Sequence, residues 1–222
     1  MSVRRQAGVV LANTGLEVKR LYSDRDDRVL FADLCFQLDA GQLVQIAGPN
    51  GSGKTSLLRI LAGLSSRYEG EVLWQGKSLL KQRHEYLQQL LYIGHGAGIK
   101  AVLSPLENLR WSCALRGLNN NDDKILSALE KVGLSGFEEQ ACHSLSAGQQ
   151  RRVNLARLFC IPASLWVLDE PFTAIDQRGV TEIERWLSEF VSEGGAVLLT
   201  THHRLSFAHE FKIVTLGEAA NV

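Results

Sequence analysis

The sequence predicts an α/β fold around a mainly parallel sheet. Three observations carry that expectation: short, mostly apolar runs at Leu43–Ala47, Leu165–Leu168 and Ala196–Thr200; amphipathic helical patterns between them; and glycine punctuation where runs end. A run of four or five apolar residues suits a strand covered on both faces, as parallel strands flanked by helices are.

Taken in order, Leu43–Ala47 enters a glycine cluster as a buried strand, and Lys54–Leu64 follows with helical spacing of apolar residues, stopped near Gly63. Glu71–Trp74 is strand-like and ends at a Gln75-Gly76 turn. Leu106–Arg116 and Asp122–Val132 read as two amphipathic helices joined through Gly117 and the polar stretch Asn119–Asp123. Gly148–Phe159 is expected to be helical, with Arg151, Arg152 and Arg157 on its polar side. After the strand at Leu165–Leu168, Gln177–Glu193 carries Ile183, Trp186, Leu187 and Phe190 at helical spacing up to Gly194-Gly195. Ala196–Thr200 and Phe211–Leu216 complete the expected strands. The helical stretch from about Ile99 to Leu145 reads as an inserted subdomain within one domain spanning residues 1–222.

Lys plus Arg equals Asp plus Glu at 24 each, so no net field calls for nucleic acid as a partner. The four cysteines show no CxxC spacing, which argues against a zinc site and favours reduced thiols. No apolar run reaches the roughly 18–20 residues that cross a bilayer. Arg4-Arg5 before Ala7–Ala12 resembles a signal sequence only faintly, because Asn13, Thr14 and Glu17 interrupt it.

The most specific chemistry lies at Gly48-Pro49-Asn50-Gly51-Ser52-Gly53-Lys54-Thr55, which fits GxxxxGK[ST] without a mismatch and has a strand before and a helix after. Glycines let backbone N–H groups turn inward as an anion nest, and the following helix points its positive end at phosphates. Lys54 is expected to reach the β- and γ-phosphates of ATP, with Ser56 beside them, while the Thr55 hydroxyl joins the Mg²⁺ shell. A second acidic site follows an apolar strand: Asp169 would hold the metal, and Glu170 would orient or deprotonate the attacking water. An acid directly after the metal-binding Asp is not needed for binding alone and points to hydrolysis.

Leu145-Ser146-Ala147-Gly148-Gln149 resembles the LSGGQ signature of ABC ATPases, with Ala147 where the family has its first glycine, and it runs on as QQRRVNLAR between the phosphate loop and the acidic strand. Thr173–Asp176 is similar to the family's D-loop, and Thr201-His202 to its switch histidine, which contacts the γ-phosphate. The resemblance implies a phosphate-loop NTPase fold of the ABC type, with an N-terminal antiparallel β part ahead of the core and a helical insertion. It also implies a head-to-tail homodimer, in which Ser146, Gly148 and Gln149 of one copy cover the ATP held by Gly48–Thr55 of the other. The implied catalytic residues are Lys54, Glu170 and His202.

Two positions depart from the pattern. The family's metal-ligating Gln aligns with Gly96, within Tyr92–Ile99, leaving His95 or a water as the substitute. The aromatic that stacks on adenine aligns with Arg25, whose guanidinium can stack in its place, or Tyr22 reaches in.

Within the family, LVQIA, GEVLWQGK, GHGAGIK, LENL and LWVLDEPFTAID most resemble the ATPases of cytochrome c maturation. That likeness implies a peripheral subunit on the cytoplasmic side of the bacterial inner membrane, acting with integral membrane subunits of the heme export complex. The six histidines form no heme-attachment motif. An exporter ATPase for drugs, lipids or polysaccharide would share every catalytic residue. A regulator that hardly turns over is also compatible with the missing Gln. Chromosome-maintenance ATPases are not: they place a long coiled coil between phosphate loop and signature, and here Lys54 and Ser146 stand only 92 positions apart.

Overall fold

In the computed structural model, residues 15–26, 28–96, 98–119, 121–207 and 210–217 are described. The signal-like stretch before Gly15, Ala97 and His209 lie outside them. The elements run β1 (Leu16–Arg25), β2 (Arg28–Leu38), β3 (Leu43–Ala47), α1 (Lys54–Leu61), β4 (Glu69–Trp74), β5 (Lys77–Ser78), α2 (Arg83–Gln89), β6 (Leu90–Ile93), α3 (Pro105–Ala114), α4 (Asp122–Lys131), α5 (Ala147–Leu155), α6 (Arg157–Cys160), β7 (Leu165–Asp169), α7 (Gln177–Ser192), β8 (Ala196–Thr200) and β9 (Lys212–Thr215), with one 3₁₀ turn at Cys142–Ser144.

Two sheets form. The first is antiparallel in the order β2-β1-β4-β5, and the second is parallel in the order β6-β7-β8-β3-β9. The expected combination of parallel core, N-terminal antiparallel part and helical stretch is therefore present, with α3 and α4 falling inside residues 99–145.

Alternation in the parallel strands divides the core into two layers. Trp166 and Leu168 of β7, Val197 and Leu199 of β8, and Leu91 and Ile93 of β6 join Ile183, Trp186 and Leu187 of α7 and the apolar faces of α3 to α6. On the opposite face, Leu165, Val167, Leu198, Val44 and Ile46 pack with Leu57, Leu58, Ile60 and Leu61 of α1 and with Val18, Leu21 and Phe31 of the antiparallel sheet. Each such side chain contributes roughly 1.5–3 kcal/mol on burial.

The helix starts are specified locally. Ser104 and Glu107 form a reciprocal capping box at α3 with Pro105 in the first position, Ser146 and Gln149 do the same at α5, and Asn121 and Asp176 cap α4 and α7. One expected helix is divided: Gly148–Phe159 becomes α5 and α6 with a break at Ala156, where the Phe159 N–H reaches back only three residues, to the Ala156 carbonyl. The expected polar face of that stretch is also corrected. Arg151 is only 4% exposed, and its guanidinium is directed into the molecule, where main-chain carbonyls satisfy it.

Candidate active site

Parallel order places the carboxyl ends of β6, β7, β8 and β3 side by side, which is where α/β sheets build their sites. His95 follows β6, Asp169 ends β7 with Glu170 next in the chain, Thr200 ends β8 with His202 two residues on, and Gly48–Thr55 follows β3. Cross-strand register pairs Asp169 with Thr200 and Thr200 with Ile46. An open cleft of about 720 Å³ lies over these ends. Its walls include Asn50, Gly51, Gly53, Lys54, Thr55 and Ser56 on one side, and His95, Asp169, Glu170, Thr173 and His202 on the other.

The loop's shape depends on glycine where the backbone is left-handed. At Gly48 φ is 142°, and an added Cβ would stand 2.5 Å from the Leu216 carbonyl oxygen and 2.7 Å from Ser52 Oγ. At Gly53 φ is 96°, with Leu30 Cβ 2.9 Å from the added atom. Ser52 is buried, and its hydroxyl has no hydrogen-bond partner. The Lys54 ammonium donates to the carbonyls of Gly48 at 2.7 Å and Pro49 at 3.1 Å, which holds the positive charge across the loop. Gly53 precedes α1, so that helix's N-terminal amides face the cleft with it.

Asp169 is 2% exposed. Its Oδ1 accepts a 2.7 Å hydrogen bond from the Thr200 hydroxyl, and Oδ2 has no partner. A buried carboxylate oxygen without a donor, in the same cleft as the Thr55 hydroxyl, fits a hard cation that takes its other ligands from phosphate and water. Glu170 has φ of 51°, rare for a non-glycine residue. Its N–H donates to Thr200 at Oγ1 (3.0 Å) and at the carbonyl oxygen (3.2 Å). Its Oε2 accepts from the His202 N–H at 3.3 Å, while Oε1 accepts no hydrogen bond and lies 3.5 Å from His202 Nε2. His203, next along, pairs with the buried Glu184 of α7 at 3.4 Å, and Glu184 also accepts from the Ser206 N–H, so the segment after β8 is anchored behind the cleft.

Arg25 lines the cleft, its side chain largely exposed and 3.4 Å from Asp26; Tyr22 is not among the lining residues. Gly96 lies in open space, while His95 faces the cleft. Ser146, Gly148 and Gln149 are not brought to this cleft. They sit at the N-terminus of α5, where Ser146 Oγ accepts from the Gln149 N–H at 3.2 Å and an added Cβ on Gly148 would stand 2.7 Å from the Ala174 carbonyl oxygen. Sequence reasoning missed Arg28 and Leu30 on the cleft wall, and Thr200 beneath it.

Comparison with known proteins agrees with this geometry. The sequence profile described as ABC transporter matches residues 31–173. The chain is 52% identical over 202 residues to the cytochrome c biogenesis ATP-binding export protein CcmA of Hahella chejuensis, covering 91% of this chain and 95% of that one. It is 56% identical over 191 residues to the protein of the same name from Pseudomonas fluorescens, covering 86% and 90%. Among solved structures, a putative ABC transporter ATP-binding protein from Pyrococcus furiosus matches with a TM-score of 0.79 at 26% identity, covering 91% of this chain and 98% of that one. The chain belongs to the ABC transporter family, in the group of its CcmA ATP-binding proteins.

Proposed function

We propose that this chain is the ATP-hydrolysing subunit of an ABC export system for cytochrome c biogenesis, and that its turnover powers heme transfer or the release of a heme-loaded chaperone. The observation that carries the hydrolytic reading is Glu170: a carboxylate at the strand end, in the cleft, with one oxygen accepting no hydrogen bond and the His202 imidazole 3.5 Å from it.

In this reading the amides of Gly48 to Thr55 and the Lys54 ammonium hold the β- and γ-phosphates, and Ser56 extends the cradle. Thr55 and Asp169 hold Mg²⁺, which when bound offsets phosphate charge. Glu170 takes a proton from, or orients, the attacking water, and the His202 side chain contacts the γ-phosphate. Arg25 stacks on adenine, and His95 stands in for the Gln expected at Gly96. The bond broken is the one between the γ-phosphorus and its bridging oxygen, giving ADP and inorganic phosphate.

The separation of Ser146, Gly148 and Gln149 from their own chain's cleft supports a homodimer in which each copy's signature helix closes the other's site. Both core layers share strands of the parallel sheet, which supports the described residues acting as one unit. Among the described residues no helix is long and apolar enough to cross a membrane. That suits a peripheral subunit working on integral membrane chains at the cytoplasmic face of the bacterial inner membrane. The relatives' name supports cytochrome c biogenesis as the process. Release of a loaded chaperone is favoured over direct heme handling, because the histidines form no heme-attachment motif.

The test is phosphate release by the purified chain, alongside complementation of a strain lacking it. Lys54→Ala is expected to abolish release and to stop maturation of c-type cytochromes. Normal maturation with that variant would contradict energy coupling.

A further inference from the structure

Arg151 was expected on a solvated helix face. Instead it is buried, and all five of its observed hydrogen bonds run to main-chain carbonyls of two other segments. Nη2 donates to the carbonyls of Asp169 at 3.0 Å and Glu170 at 2.8 Å, and Nε to that of Pro171 at 3.4 Å. Nη1 donates to those of Gly94 at 2.8 Å and Gly96 at 3.4 Å. The first three acceptors run from the last residue of β7, Asp169, through Glu170 to Pro171. The last two flank His95 beyond β6.

Three physical points give the arrangement meaning. A buried guanidinium is costly unless its donors are used, and here they are used on main-chain carbonyls of two separate segments, so the side chain fixes the position of both. Burial disfavours the charged form, and the charges of Asp169 and Glu170 favour it. Second, the left-handed conformation of Glu170 persists only where its surroundings over-determine it, and its peptide units are held from both sides: the N–H by Thr200, the carbonyl by Arg151. Third, Arg151 lies five residues after Ser146 on the same helix, so about 7.5 Å of rigid backbone joins the exposed N-terminus of α5 to the guanidinium. Arg152, its neighbour, bonds away from the cleft, to the Val132 carbonyl, Glu182 and Asp176.

We infer that Arg151 is a positioning residue for hydrolysis: it fixes the backbone that carries Glu170 and the loop that carries His95, and it links the signature helix of a chain to the catalytic carboxylate of that same chain. This rests on the hydrolytic reading above. A nucleotide engaged by Ser146 at the start of α5 would thereby bear on Glu170 in the neighbouring cleft of the same subunit. None of the five bonds involves the phosphate loop, so ground-state nucleotide affinity should depend on Arg151 little.

The experiment measures phosphate release against ATP concentration, and binding of a fluorescent ATP analogue, for wild type, Arg151→Gln, Arg151→Lys and the core variant Leu129→Ala as a control for general destabilisation. Misplacement of a catalytic group by about 1 Å costs on the order of 100-fold, so Arg151→Gln should lose about that much in kcat and Arg151→Lys roughly tenfold. KM and analogue affinity should move less than about threefold, and Leu129→Ala should keep kcat within about twofold. The inference is overturned if Arg151→Gln keeps kcat near wild type, or if Leu129→Ala at matched melting temperature loses as much; should the Gln variant not fold, the Lys variant is judged by the same criteria. A wild-type chain that releases no phosphate would remove the hydrolytic reading, and this inference with it. An active wild type with an equally active Arg151→Gln would remove this inference alone.

Discussion

The Thr200 hydroxyl donates to Asp169 Oδ1 across two neighbouring parallel strands, at 2.7 Å and fully out of solvent. The same oxygen accepts the Glu170 N–H at 3.0 Å, so one hydroxyl fixes both acidic residues and leaves Asp169 Oδ2 free for a cation. Thr200→Val keeps the shape and deletes the bond. It is expected to cost about 1–3 kcal/mol of stability, by leaving a buried carboxylate oxygen without its donor, while the Glu170 N–H keeps the Thr200 carbonyl. It should also raise the Mg²⁺ concentration that gives half-maximal phosphate release, while Thr200→Ser does neither. Thermal melts and a magnesium titration check both effects.

Glu170→Gln retains the carbonyl oxygen that accepts from the His202 N–H and removes the carboxylate proposed as the base. Phosphate release is expected to fall about 10²–10⁴-fold with nucleotide affinity nearly unchanged. With Mg-ATP the variant should elute from gel filtration as a dimer if, as proposed, unhydrolysed nucleotide holds two copies together. A monomeric elution would contradict the two-copy site.

Gly96 lies in open space, and an added Cβ there meets nothing within 4 Å. Gly96→Gln should therefore alter stability by less than about 0.5 kcal/mol. If the departure from the family pattern limits turnover, phosphate release rises in this variant, and His95→Ala, harmful in the wild type, becomes nearly silent in the Gly96→Gln background. Steady-state rates of the two single variants and the double variant decide the point.

Asp176 caps α7 through the Gly179 N–H and pairs with Arg152 at 3.0 Å. The bond from Gly179, reinforced by Arg152, holds its carboxyl below the ordinary value of 3.8. A depressed carboxylate stabilises the fold above its unfolded value and ceases to do so as pH falls through its folded one. Asn retains capping but not charge. The gap in melting temperature between wild type and Asp176→Asn should thus be constant from about pH 8 to pH 5 and narrow below about pH 4.

Much of the architecture is legible in the residues, and the failures have physical causes. Leu43–Ala47 and Ala196–Thr200 form strands at their expected bounds, because strands covered on both faces read as short, mostly apolar runs. Strand β6 escapes notice because Leu90–Ile93 follows α2 with no turn residue between them. The alternation of β1 is broken by irregularities in register and by Arg20, at φ 45°. At the site, the phosphate loop and the acidic pair are readable because their spacing along the chain is itself the signal, and His202 is readable only through its likeness to the family's switch histidine. Thr200 and Arg151 are not, since their importance arises from which strands lie side by side. In the sequence Thr200 is only a threonine closing the run AVLLT; its complete burial beside Asp169 belongs to the fold.

The central claim is that the loop from Gly48 to Thr55 binds the phosphates of ATP with magnesium. Isothermal calorimetry of the purified chain against Mg-ATP tests it most directly, with Lys54→Ala alongside. Saturable heat in the wild type that collapses in the variant is the expected result. A wild type that gives no heat of binding, or a variant that binds as tightly, would contradict it.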